Sequence, residues 1–241
     1  MAKSLTAQTT NVATDYRDRF LVELIQNACD AQTAGVSDGR INVTLDLGAG
    51  KYGTLYIANT GQPFNRANVK SLSDNALSAK SVGQSIGNKG LGFRSVIQVT
   101  DAPQIFSQNI GIVAHDRFHR FCFRFAAASD FDALIENPIH RVLAKKDLPK
   151  FHIPVWVEEQ DQVVCDFARR GMSTVNALPF RDDSEAQATR QKVDELEAQD
   201  VPMHLVLDRM SELHVRVISD NGKLEKSFSF TRSEDRHGVL D

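Results

Sequence analysis

The chain has 241 residues, 41% hydrophobic and 24% charged, enough for one large core or one domain with an appendage. A formal net charge of -3 argues against a nucleic-acid or membrane surface built on bulk positive charge. No apolar run approaches the ~20 residues of a spanning helix, and Cys29, Cys122 and Cys165 stand too far apart for a C-x-x-C zinc or redox motif.

Residues 1–14 are polar, lack the apolar stretch of a signal peptide and read as a flexible lead-in. With free thiols as the simple reading of the cysteines, a cytoplasmic location is expected. A helix follows from about Asp15 to Ala34, free of internal Gly and Pro. At 100° per residue, Leu21, Leu24, Ile25, Ala28 and Cys29 form an apolar face. Glu23, Asn27 and Asp30 fall opposite it at i, i+4 and i+7, within about 60° of arc. This polar rail is either an ordinary solvated face or a functional one. Gly35 and Gly39 end the helix.

Residues 40–47 alternate as a half-buried strand, and Leu55 and Ile57 begin a second, so residues 40–58 predict an antiparallel hairpin. The second strand runs into the loop Asn59-Thr60-Gly61-Gln62-Pro63-Phe64. Residues 65–89 predict a short helix and then a mobile segment. Gly87-x-x-Gly90-x-Gly92 then turns into a helix ending near Thr100. Strands are expected at 103–107, 110–115 and 118–126. Residues 129–150 read as irregular, with a helical turn at 130–136. Further strands are expected at 151–157, 162–168 and 172–180. Ser184 caps a polar helix to Gln199, and residues 214–219 and 224–231 form a hairpin around Asn221-Gly222. This order predicts an α+β fold: a mixed, mostly antiparallel sheet with helices on one face.

The glycine turn has two readings. It is plain turn chemistry, or it brings backbone N–H groups and a helix N-terminus to a phosphate chain. It is not a P-loop, because no Gly-Lys-Ser/Thr follows, nor a dinucleotide fingerprint, because the segment before it is polar rather than a strand.

Three pieces now stand in order: Glu23-x-x-x-Asn27-x-x-Asp30, Asn59-Thr60-Gly61 after a strand, and Gly87-x-x-Gly90-x-Gly92-Phe93. Together they resemble the GHKL ATPase superfamily of gyrase B subunits, large heat-shock chaperones, histidine kinases and MutL proteins. Residues 23–31 look like its N box, residues 58–61 stand where its Asp-x-Gly motif is expected, and residues 86–96 look like its second glycine box. The wording is closest to sacsin and No Vein-type proteins, which Asn59-Thr60-Gly61-Gln62-Pro63-Phe64 and Ser78-Ala79-Lys80-Ser81 also fit.

The resemblance implies a two-layer, Bergerat-type α/β sandwich holding ATP and magnesium. A GHKL-type domain would span 15–200, with a lid at about 65–92. Residues 201–241 would be appended strands or the start of a following region. Within this frame Asn27 holds magnesium, and Glu23 is the general base that activates water for attack on the γ-phosphate. Asp30 and Ala31 line the nucleotide side. Asn59 replaces the usual aspartate and accepts from the adenine amine, Gly61 lets the backbone pass close beneath the base, and Phe64 lines the pocket. Lys80, Ser81, Gly87, Lys89, Gly90, Leu91, Gly92 and Phe93 form the lid and phosphate cradle, and Thr174 reaches the adenine.

The expected function is Mg-dependent ATP hydrolysis driving a conformational switch in a larger chaperone-like or defence-related protein, acting on a second copy or another protein. An ATP-binding module without turnover, a DNA-acting enzyme of mismatch-repair or topoisomerase type, and a protein–protein module without nucleotide are the alternatives. No basic stripe with interleaved aromatics supports the DNA-acting one.

Overall fold

Alternating apolar residues build one sheet from strands far apart in sequence. In the computed structural model, which describes residues 20–32, 38–74, 95–108, 115–147, 153–198 and 209–231, eight strands run in chain order. They are β1 (Gly39–Asp46), β2 (Thr54–Asn59), β3 (Gln104–Ser107), β4 (Phe121–Phe125), β5 (Pro154–Trp156), β6 (Thr174–Pro179), β7 (Met210–Ile218) and β8 (Leu224–Thr231). Across the sheet they lie in the order β5-β4-β3-β6-β2-β1-β7-β8. Every neighbouring pair is antiparallel except β1 and β7, which run parallel. The hairpins expected at 40–58 and around Asn221-Gly222 are both present, and Gly222 takes the positive φ of 77° that the second turn demands.

Among the described residues six α-helices accompany the sheet: α1 (Phe20–Asp30), α2 (Arg66–Asp74), α3 (Phe131–Leu134), α4 (Pro138–Asp147), α5 (Gln162–Arg169) and α6 (Asp183–Glu197). On one sheet face, Leu21, Leu24, Ile25 and Ala28 of α1 and Ala186, Val193 and Leu196 of α6 pack into a continuous core. Their sheet partners include Ile41, Val43, Leu45, Leu55, Ile57, Leu213, Val215 and Val217. Each fully buried aliphatic side chain of this kind contributes about 1.5–3 kcal/mol.

Four expectations need correction. The strand expected at 162–168 is the helix α5. Its Val163 and Val164 suggested a strand, but Val164, Phe167 and Ala168 are buried at i, i+3 and i+4, and Asp161 caps the first turn by accepting from the Val164 N–H at 2.8 Å. The helices do not all share one face. Val164, Phe167 and Ala168 of α5 pack with Tyr56, Ala58, Phe106, Cys122, Val175 and Ala177, which point away from α1, so a third, partial layer covers the far side. The helical turn expected at 130–136 is α3, but residues 138–147, expected to be irregular, form the helix α4. The cap of α6 is Asp182, not Ser184: its carboxylate accepts from the Glu185 N–H at 3.0 Å and from the Ser184 hydroxyl at 2.6 Å. Both bonds hold the Asp182 carboxyl below the ordinary carboxylate range.

The helix expected to end near Thr100 is a 3-10 turn over Ser95–Gln98. The glycine turn at 87–92 and most of the strand expected at 110–115 lie outside the described residues. Among the described residues no helix is long and apolar enough to cross a membrane.

Candidate functional site

The α1 end of the sheet is polar because three strands place short hydroxyl and amide side chains in one row. Antiparallel register sets Asn59 of β2 opposite Thr174 of β6, and Thr174 opposite Ser107 of β3. All three are nearly buried, and each points to the α1 side. The Ser107 hydroxyl donates to the Ser173 carbonyl at 3.1 Å and accepts from the Phe64 N–H at 2.8 Å. With that proton on the Ser173 carbonyl, the Thr174 hydroxyl donates across its 3.1 Å contact with Ser107, a contact in which either oxygen can be the donor. The remaining lone pair of Thr174 is left to accept. The Asn59 amide donates to the Thr60 carbonyl at 2.6 Å, which leaves Oδ1 as its open acceptor.

The loop after β2 is clamped to the end of α1. Gln62 N–H donates to the Ala31 carbonyl at 2.7 Å. Buried Gln32 donates to the carbonyls of Ala28 at 3.1 Å and Thr60 at 2.8 Å. Gly61 has φ 94°, and a Cβ there would stand 2.6 Å from the Ala31 carbonyl oxygen. Its glycine is therefore required by the close approach of loop and helix. Beyond the loop, Asn65 and Asn68 exchange side chain-to-backbone bonds of 2.9 and 3.0 Å, a reciprocal capping arrangement that starts α2.

These elements enclose a cavity of about 170 Å3. Leu24, Asn27, Ala28, Asp30 and Ala31 of the α1 segment form one wall, and Asn59, Thr174 and Asn176 form the sheet floor. Gln62, Pro63, Phe64, Asn65, Asn68 and Leu72 close the remaining side. That space suits a planar heterocycle and is smaller than the roughly 300–1,000 Å3 of pockets that enclose whole ligands. Among these lining residues, Asp30 is the one ionisable group, and six side chains are amides. The cavity is thus built for hydrogen bonding with little fixed charge.

Of the residues expected to form a site, Asn27, Asp30, Ala31, Asn59, Phe64 and Thr174 come together here. Phe64 also packs on the core, its ring 6.2 Å from that of Phe123. Glu23 lies one turn before Asn27 on α1, half-exposed and outside the cavity lining. Gly61 stands behind the wall, against Ala31. Lys80, Ser81, Gly87, Lys89, Gly90, Leu91, Gly92 and Phe93 lie outside the described residues.

Sequence reasoning missed Asn176, Ser107, Gln32, Asn65 and Asn68. Asn176 stands two residues after Thr174 and shares its face, a period-2 signal that was available. The capping pair was visible as Asn at i and i+3. Ser107 and Gln32 depend on long-range register and had no local signal.

Among the described residues no group of three His, Cys, Asp or Glu could hold a metal ion between them. Asn27 and Asp30 supply hard oxygen atoms to the cavity, a donor set that fits a cation keeping most of its waters. Cys122 is buried on the far face, and burial pushes its thiol up to about 11, well away from thiolate chemistry.

Protein NO VEIN of Arabidopsis thaliana is 37% identical to the chain over 89 residues. That match covers 36% of this chain and 3% of NO VEIN, so the chain spans a small part of that relative's length. A family model described as the Sacsin domain matches residues 2–213, most of the sequence, and the chain belongs to the Sacsin domain family.

Proposed function

We propose that the chain is an ATP-binding domain of GHKL type, with the cavity between α1 and the sheet taking the adenine base. The observation that carries this reading is the convergence of Asn27 and Asp30 with Asn59 and Thr174 in one cavity. Asn59 Oδ1 and the Thr174 oxygen are both acceptors, which suits an exocyclic amine as the group they meet. We also infer a Bergerat-type arrangement of α1 over β1 and β2. The observed sheet order and the cavity beneath α1 support it, with α5 as an addition on the far face.

In this reading the Asn27 amide oxygen holds hydrated magnesium, and a neutral ligand there adds no repulsion toward a triphosphate. The ion, when bound, supplies charge neutralisation of the phosphates. Glu23, on the same face of α1 one turn away, accepts the proton of an attacking water. Nucleotide occupancy biases the domain between two states, and it then acts as a switch within a larger protein.

A second reading is a module that binds ATP without turnover, and a Glu23 outside the adenine cavity is compatible with either one. Two measurements on the purified chain separate the readings. Mg-ATP raises the unfolding temperature in either one, through ligand linkage, and Asn27→Ala loses the magnesium-dependent part of that rise. Phosphate release that Glu23→Ala abolishes, with the thermal shift retained, establishes the ATPase. A retained shift with no release from wild type establishes the binding module. Absence of any shift overturns both.

A further inference from the structure

The sheet face away from the cavity carries a second polar assembly. On β1, Arg40, Asn42 and Thr44 alternate with the core residues Ile41, Val43 and Leu45. In parallel register beside them stand Glu212, His214 and Arg216 of β7. Arg170, at the end of α5, reaches over the same strip: its guanidinium donates to Asn42 Oδ1 at 2.9 Å, and its carbonyl accepts from Arg40 at 3.5 Å. Arg216 donates to the Thr44 hydroxyl at 3.3 Å, while its Nε is buried with no hydrogen-bond partner among the described residues. His214 Nε2 lies 2.9 Å from the Ser227 hydroxyl of β8.

Three guanidinium groups therefore share one strip of a chain whose net charge is -3. Among the described residues no carboxylate lies within ion-pairing distance of Arg40, Arg170 or Arg216. Asp166, the near carboxylate on α5, is paired with Arg169. The strip pays for this in electrostatics: burial, then the charges of Arg216 and Arg40, push the Arg170 guanidinium below its ordinary pKa. Burial and the charge of Arg216 likewise lower His214, with Glu212 opposing and Arg170 adding to the depression. Set against Glu212, the three arginines leave two positive charges over. A phosphomonoester dianion balances those two charges, whereas a single carboxylate does not. Planar guanidinium forks, unlike lysine, also match phosphate oxygens two at a time. A nucleic-acid strand fits less well, because Phe167, the ring 5.8 Å from the Arg170 guanidinium, is buried and offers no stacking platform.

We propose that Arg40, Arg170 and Arg216 form a binding site for a phosphomonoester group, separate from the cavity and on the opposite face of the sheet. The group comes either from a small phosphate ester or from a phosphorylated side chain of a partner protein. The test is titration of the full chain with phenyl phosphate and with a phosphoserine peptide, followed by calorimetry and by the NMR signals of the His214 ring. Saturable binding is expected, with a rise in the His214 pKa as the anion offsets Arg216 and Arg170 beside it. Arg170→Gln and Arg216→Gln each weaken binding by about tenfold or more. Arg216→Lys, which keeps the charge but not the fork, also binds more weakly than wild type. A peptide that binds at least tenfold tighter than phenyl phosphate assigns the site to a protein partner, and equal affinities assign it to small esters. The proposal is overturned if neither probe saturates below about 10 mM, or if the double variant binds as wild type does while its unfolding curve is unchanged. Equal binding of a glutamate peptide or of a single-stranded oligonucleotide overturns the phosphomonoester class.

Discussion

At the scale of single residues, the loop after β2 shows how a motif position can be required for a reason other than ligand contact. Gly61 was expected to clear space beneath a base. Its left-handed φ and the 2.6 Å approach to the Ala31 oxygen give a separate reason for glycine, by tying it to the end of α1. Gly61→Ala should therefore cost about 1–3 kcal/mol of stability in urea unfolding. Gly222→Ala isolates the backbone component, because Gly222 has φ 77° with open space around it, and should cost about 1–2 kcal/mol. Equal losses at the two positions would show that the contact with Ala31 is relieved without penalty. Asn59 makes a sharper case. The aspartate usual at this place in the GHKL pattern could not donate to the Thr60 carbonyl, which the Asn59 amide meets at 2.6 Å in a nearly closed environment. Asn59→Asp should then lower stability at neutral pH by about 1–3 kcal/mol, despite restoring the family residue. A thermal melt with no loss would show that the loop carbonyl turns away freely.

At the scale of elements, α1 was legible because a single helix carries its own pattern: the apolar stripe is buried and Asn27 and Asp30 reach the cavity. The floor of the cavity was half legible. Asn59 and Thr174 could each be picked out, but their pairing and the place of Ser107 beside them are set by strand register across more than sixty residues of chain, which no local period encodes. The helix α5 was misread because β-branched Val163 and Val164 carry a strand preference that capping and tertiary burial override. Its anchor is Asp161, which caps the helix through the Val164 N–H and accepts the Tyr56 hydroxyl at 2.6 Å. Burial, then this bond, pushes the Tyr56 phenol above its ordinary value. Asp161→Ala removes both interactions and should cost about 2 kcal/mol, while Tyr56→Phe leaves the cap intact and should cost about 1 kcal/mol. The reverse order in chemical unfolding would place the energy in the tyrosine. At the end of β4, Arg124 grips Asp130 through two bonds of 2.6 Å, and Asp130 also accepts from the Ala127 N–H at 2.7 Å. Arg124 holds the Asp130 carboxyl below the usual carboxylate value of about 4. Its contribution is therefore full above that value and is lost as pH falls through the lowered one. Asn in place of Asp130 should destabilise the chain near neutrality, and the gap to wild type should close in acid. A gap that stays constant down to strongly acidic pH would contradict this.

At the scale of the whole molecule, the sheet separates two chemistries. The α1 face offers a cavity lined by amide and apolar side chains in equal number, and the opposite face offers an arginine strip over β1 and β7. The same alternation of β1 serves both faces, since Ile41, Val43 and Leu45 pack beneath α1 while Arg40, Asn42 and Thr44 point away. Composition gave no hint of that strip, because an overall negative charge averages it out. The parallel pairing of β1 with β7 has a consequence for synthesis. The first described strand finds its parallel neighbour about 170 residues later, so the ribosome releases β1 long before the strand that shields its edge exists. Until residue 218 has emerged, the buried row Leu213, Val215 and Val217 is missing from the core, and β1 presents unpaired backbone and apolar side chains to the cell. A chain ended at residue 200 should accordingly sediment as aggregate on expression, and adding residues 201–231 should return it to solution. The folding of this domain thus waits on one of its last-made strands.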